Sequence, residues 1–177
     1  LEHFWRRNST LATAAALVAR KQYGLSPDLA YTYTLFHDAA IPLIMKRFPE
    51  YQSCLTTCHQ EGRMLAEAEA AQFPCTHPVV GSLLTRNWGL PRAIGQAIRF
   101  HHDKEAYSIP ESTLPATALS LIAVTQVAEH LLTEIQDEVD IEVGDFLFNK
   151  ATEHLGLSVD DLDRLQEAIR ELLLETA

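Results

Sequence analysis

Apolar residues recur at three- and four-residue intervals through most of the chain, and no stretch alternates apolar and polar positions as a half-buried strand would. Between residues 4 and 23 the apolar positions Leu11, Ala14, Ala15, Val18 and Ala19 fall on one helical face, and Gly24 offers a left-handed stop. Ser26-Pro27-Asp28 reads as the N-cap, first-turn proline and acidic first turn of a second helix, which runs through Leu29, Tyr33 and Phe36 to a His37-Asp38 pair at its inner end. Pro42 and Pro49 bracket a short amphipathic piece. One helix rich in Ala and Glu is then expected from about residue 51 to 71, broken by Phe73-Pro74. Its acidic run from Glu61 to Glu69 reads as a solvated face.

Thr76 and Pro78 start a helix through Val80, Leu83 and Leu84 to Trp88, where Gly89 ends it; Leu90-Pro91 opens the next, which carries Ile94, Ala97, Ile98 and Phe100 to His101-His102. Residues 103–115 are polar and proline-bearing, hence a loop. A strongly apolar helix follows from residue 116 to about 132, with Leu119, Ile122, Ala123, Gln126, Val127 and His130 at helical spacing. Residues 133–143 are acidic and ambiguous. Residues 145–155 look helical, Gly156 stops them, and Ser158 caps a last amphipathic helix through Leu162, Leu165, Ile169 and Leu172. The expected fold class is all-α, a single domain built as a bundle of about seven helices.

Composition narrows the picture. A chain of 177 residues with 47% apolar and 21% charged residues can bury one sizeable core and is not a disordered tract. Uninterrupted apolar runs stop short of the ~20 residues that cross a bilayer, and no charged segment followed by an apolar one opens the sequence. A soluble, cytoplasmic protein is expected, with no membrane partner. Net charge is −10, and the basic knots Arg6-Arg7, Arg20-Lys21 and Lys46-Arg47 are short and scattered, so nucleic acid is not an expected partner. Cys54, Cys58 and Cys75 match no zinc-knuckle spacing and read as reduced thiols.

The chemistry concentrates in histidines. His37-Asp38 interrupts the apolar run from Leu35 to Pro42, where a charged pair must be held by a metal, a neighbouring donor or a cleft. His77 stands in Thr76-His77-Pro78-Val79-Val80-Gly81, and His101-His102 form a doublet. Neutral imidazoles and a carboxylate converging from several helix ends are what a water-activating divalent metal requires. Without metal, Asp38 can accept hydrogen bonds from His77 or the doublet, which favours imidazolium and keeps the carboxylate ionised. No base-and-orienter arrangement accompanies Ser9 or the cysteines, and no phosphate-cradling glycine loop is present.

The order His-Asp, His-x-x-x-Gly, Trp-Gly-Leu-Pro and His-His resembles the HD superfamily of metal-dependent phosphohydrolases, and most closely its HDOD branch, the HD-related output domain of bacterial signalling proteins. The resembling residues are Phe4-Trp5-Arg6-Arg7 with Ser9, Leu35-Phe36-His37-Asp38, His77 to Gly81 with Leu83-Leu84, Trp88-Gly89-Leu90-Pro91, Ala97-Ile98, His101-His102 and the tail Leu155-Gly156-Leu157-Ser158. The resemblance implies an HD-like helical bundle and a candidate or vestigial metal site of His37, Asp38, His77, His101 and His102. It also implies a further helical portion ahead of Phe4-Trp5, so residues 1–177 are expected to form one domain lacking that portion.

Departures from the active pattern shape the functional expectation. Active relatives place a metal-binding histidine in the first helix, where this chain has Arg7-Asn8-Ser9, with His3 too early. They close the site with an aspartate where the register here puts Gln126, a neutral amide that neither balances a cation nor binds it well. Their glycine and lysine after His-Asp are Ala40 and Ile41 here, and their Gly-Tyr-Pro signature after the paired histidines is replaced by Asp103-Lys104-Glu105-Ala106-Tyr107. The resulting expectation is a non-catalytic bacterial signal-transduction output module, with no cofactor, acting on signalling proteins or on other domains of a longer chain. Two alternatives stay open: a phosphohydrolase of the nucleotide or cyclic-dinucleotide type that holds a divalent transition metal with an incomplete ligand set, and a small-nucleotide sensor.

Overall fold

The computed structural model describes residues 2–176, which form ten α-helices and one short 3-10 turn, with no strand among them. The all-α expectation holds with more helices than the seven or so expected; the short piece bracketed by Pro42 and Pro49 is itself a helix, and another is added by a local break. The helix expected from residue 51 to 71 is two, α4 (Tyr51–Glu61) and α5 (Leu65–Gln72), because Gly62 takes a left-handed conformation at φ 62° and returns its N–H to the Cys58 carbonyl. Upstream lie α1 (Glu2–Ala19), α2 (Pro27–Phe36) and α3 (Ile41–Arg47); downstream are α6 (His77–Asn87), α7 (Arg92–Phe100), α8 (Ala116–Ile135), α9 (Gly144–Leu155) and α10 (Val159–Thr176).

Several ends form for the reasons the sequence suggests. Ser26 Oγ accepts from Leu29 N at the start of α2, with Pro27 in its first turn. At α10 the Ser158 hydroxyl accepts from Asp161 N, and the Asp161 carboxylate accepts in return from Ser158 N, a reciprocal cap. Thr76 sits at the N-cap of α6, yet its side chain makes no capping bond. That role falls to Glu69 of α5, which accepts from His77 N at 2.9 Å.

The main core is built around α8, which packs on α1, α2, α7, α9 and α10 and buries Leu121, Ile122, Val124 and Val127 against Leu11, Val18, Ile94, Ile98, Leu165 and Ile169. By length and composition α8 is apolar enough to cross a bilayer, but 72% of its apolar window is buried within the protein, as a central core helix requires. A second, smaller cluster joins Ile41 and Ile44 of α3 to Tyr51, Cys54 and Cys58 of α4 and Leu65 and Ala68 of α5. The turn between α2 and α3, the start of α6 and the end of α7 meet where these two cores adjoin. Gly81 makes that meeting close: a β-carbon there would lie 2.9 Å from Ile98 Cγ2 and 3.6 Å from the His37 carbonyl oxygen.

Candidate functional site

Helix α2 stops at Phe36, so His37 caps its end and Asp38 lies in the turn that leads into α3. His77 opens α6, and His101 and His102 follow the last residue of α7. The five sequence-identified residues therefore come together at three helix ends. One ligand atom from each of Asp38, His77, His101 and His102 lies within 4.8 Å of all the others. His37 Nε2 sits on the other oxygen of Asp38, 3.2 Å from Oδ2.

Each ring is oriented from its far side. Nδ1 of His37 donates to the Thr34 carbonyl at 2.6 Å, and Nδ1 of His101 donates to the Ile98 carbonyl at 2.7 Å, both one turn back on their own helices. Nδ1 of His77 donates to Glu69 Oε2 at 2.8 Å. Nδ1 of His102 lies 3.2 Å from Glu142 Oε2, in ion-pair range but not aligned for a hydrogen bond. With Nδ1 occupied, every Nε2 points inward. His77 Nε2 is 3.3 Å and His101 Nε2 is 3.4 Å from Asp38 Oδ1, while the Nε2 atoms of His77 and His102 are 3.0 Å apart.

Carbonyl acceptors force Nδ1 of His37 and His101 to carry a proton, so their neutral rings would turn Nε2 lone pairs toward a carboxylate. Only an extra proton or a cation relieves that. For His37 and His77 a proton can serve. Burial lowers both imidazoles, but Asp38 for the first and Asp38 with Glu69 for the second outweigh it, raising His37 and lifting His77 to about 9. Asp38 is held well below the usual carboxylate range because His37, His101 and His77 together overcome its burial. Burial wins for the doublet and lowers both His101 and His102, the second well below the ordinary histidine value with help from the neighbouring charged histidines. His101 Nε2 and Asp38 Oδ1 are accordingly left buried without a hydrogen-bond partner.

These orphaned atoms fit a metal. Ligands at ~2.1 Å from a common ion stand roughly 3.0–3.4 Å apart; three of the inward contacts here have that spacing and all four ligand atoms lie within 4.8 Å of one another, and three imidazoles with one carboxylate suit a first-row transition ion. The acceptors behind Nδ1 are the outer contacts that fix ligand orientation in such sites.

The two positions where the resemblance leads one to expect a ligand behave differently. Asn8 is buried on α1 with its amide nitrogen unpartnered. Gln126 lines a cavity of about 20 Å³ with His37, His101 and His102; its Oε1 accepts from Tyr107 at 2.6 Å, and its Nε2 reaches the His101 carbonyl at 3.5 Å.

Sequence reasoning missed three carboxylates. Glu69, assigned to a solvated face, is fully buried, and besides His77 it accepts from the Tyr51 hydroxyl. Its signal was its spacing: Leu65, Ala68 and Glu69 lie at i, i+3 and i+4, so it shares the buried stripe. Glu142, hidden in the ambiguous acidic stretch, stands behind His102, where burial and the charges of Glu129 and Asp38 push it up to about 7. Glu129 lies near the site on α8 and pairs with Arg7 at 3.1 Å.

The family model described as the HDOD domain matches residues 1–104, a span that contains all five clustered residues. No curated protein sequence matches the chain. Among solved structures, a candidate phosphohydrolase from Shewanella amazonensis SB2B superposes with a TM-score of 0.71 at 19% identity, over 97% of this chain and 60% of that one. An HDOD domain protein of unknown function from Geobacter sulfurreducens superposes with a TM-score of 0.65 at 24% identity, over 96% of this chain and 62% of that one. The likeness to both is one of fold, and the chain spans about three fifths of each.

Proposed function

The chain belongs to the HDOD domain family, and from that premise we propose that it is a non-catalytic bacterial signal-transduction output module of the cytoplasm, acting through contacts with other proteins or with other domains of a longer chain. One observation carries the reading: the His-Asp cluster is largely buried, with only Asp38 and His102 partly exposed. His77, His37 and His101 are buried, and the cavity beside them, at about 20 Å³, has room for one water and none for a phosphoester. Gln126 stands at its wall, with its carbonyl oxygen engaged by Tyr107 instead of offering a charged ligand. In this reading the cluster joins helix ends, either as a hydrogen-bonded network or around a structural metal.

A second reading, a metal-dependent phosphohydrolase with a reduced ligand set, is favoured by the inward convergence of Asp38 and the Nε2 atoms. One experiment separates the two. Purified chain loaded with Mn²⁺ or Zn²⁺ is assayed against bis(p-nitrophenyl) phosphate and cyclic dinucleotides beside His37→Ala. The proposal expects no turnover above that variant. Turnover that His37→Ala abolishes would establish the enzyme and sink the output-only reading.

A further inference from the structure

The α6–α7 hairpin carries a cationic surface on an otherwise acidic molecule. Net charge is −10, yet no Asp or Glu occurs from Ala70 to His102. Within that span Arg86 of α6 and Arg92 and Arg99 of α7 line one groove of about 590 Å³, together with Leu83, Leu90 and Phe100. All three arginines are exposed, and among the described residues none has a carboxylate partner. Leu83 is 59% exposed. Arg92 and Arg99 stand seven residues apart, two turns or ~10.5 Å along one face of α7.

We propose that this groove is the docking surface for an acidic amphipathic helix of a partner protein. The proposal rests on the contact-based function above and names its surface. An open trough between two helices accepts a third helix, whose apolar stripe covers Leu83, Leu90 and Phe100. Carboxylates two turns apart on one flank of that helix match Arg92 and Arg99, and one on the other flank meets Arg86, each as a guanidinium–carboxylate fork. The molecule's acidic remainder repels an acidic partner elsewhere, so charge selects this face and fixes orientation.

The test uses the purified full chain and a fluorescent synthetic helix of about 18 residues with a leucine stripe flanked by glutamates; its counterpart carries glutamine at every glutamate. The acidic helix should bind and weaken with added salt, and the glutamine helix should bind at least about tenfold more weakly. The R86Q/R92Q/R99Q chain should lose about tenfold in affinity, as three exposed ion pairs acting together would, and Leu83→Ser should weaken binding independently. Circular dichroism checks that both variants stay folded. Equal binding by the variants, equal binding of the two helices, or no binding of the acidic helix at about 1 mM overturns the proposal. So does self-association or capture of inorganic phosphate through the same arginines with the helix excluded. Any of these leaves the non-catalytic reading intact, whereas phosphoester turnover would remove that reading and leave the groove standing.

Discussion

Glu69 holds three donors on one buried carboxylate: the Tyr51 hydroxyl, the His77 backbone N–H and the His77 ring. Replacing it with leucine strands all three, and removing one partner from such a buried set typically costs about 3–5 kcal/mol. Glu69→Leu is therefore expected to lower the urea midpoint far more than Glu69→Gln, whose amide oxygen keeps one acceptor; equal losses would show that the carboxylate does not organise this junction. Gly81→Ala belongs to the same scale. Its new methyl would meet Ile98 Cγ2 at 2.9 Å in a packed seam, a strain of about 1–3 kcal/mol that Ile98→Leu, lacking that methyl, should partly relieve in the double variant. The histidines and Asp38 were legible because polar residues stand out in apolar runs. Glu69 was not, because a charged residue in an acidic run reads as solvated unless its helical phase is followed, and Glu142 lacked even that signal because its neighbours have no helical period.

At the scale of elements, boundaries were readable wherever glycine, proline or a capping side chain punctuated the chain. The exception was Gly62, whose left-handed turn split one expected helix into α4 and α5. What the pattern could not supply was pairing across distance, as in the connection from α8 to α9. There His130 donates to Asp140 at 2.7 Å and stacks on Phe148, while Asp140 also accepts from Val143 N. The hydrogen bond to Asp140 raises His130 against its burial, with Glu134 and Asp145 adding to the rise. Burial raises Asp140, but His130 and the Val143 and Gly144 N–H groups lower it further. The histidine's contribution is complete below its unfolded value of ~6.5 and is lost as pH rises through its higher folded value; the aspartate's is complete above ~3.9 and is lost as pH falls through its lower folded value. The pair should stabilise most between about pH 4 and 6.5. Thermal unfolding of the wild type and Asp140→Asn across pH should give a melting-temperature gap that is widest in that window and narrows above it. A gap that is flat with pH would mean the contact is packing alone.

For the whole molecule the decisive feature is the junction between the two cores. The α2–α3 turn, the start of α6 and the end of α7 carry the inward ligand atoms, and the smaller core of α3, α4 and α5 is tied to α8 and its partners through that junction. An ion bound there would hold both cores in the native state and find no such site in the unfolded chain. Its effect is then fixed by mass action: at one hundred times the dissociation constant it adds about 2.7 kcal/mol. In a domain of this size that corresponds to a rise of about 5–10 °C in melting temperature. Zn²⁺ or Mn²⁺ added to chelator-treated protein should therefore raise the melting temperature. His101→Ala should abolish the rise, because its Nε2 is one of the two site atoms otherwise left without a partner. Hydrogen exchange should slow on the same addition across α3 to α6, the elements that reach the main core through the junction. A metal-insensitive melting curve in a well-folded sample would identify the cluster as a proton-held network. In that case lowering the pH should loosen the same elements, because His101 and His102 take up protons less readily in the folded state than in the unfolded chain; elements that tighten on acidification would contradict that reading.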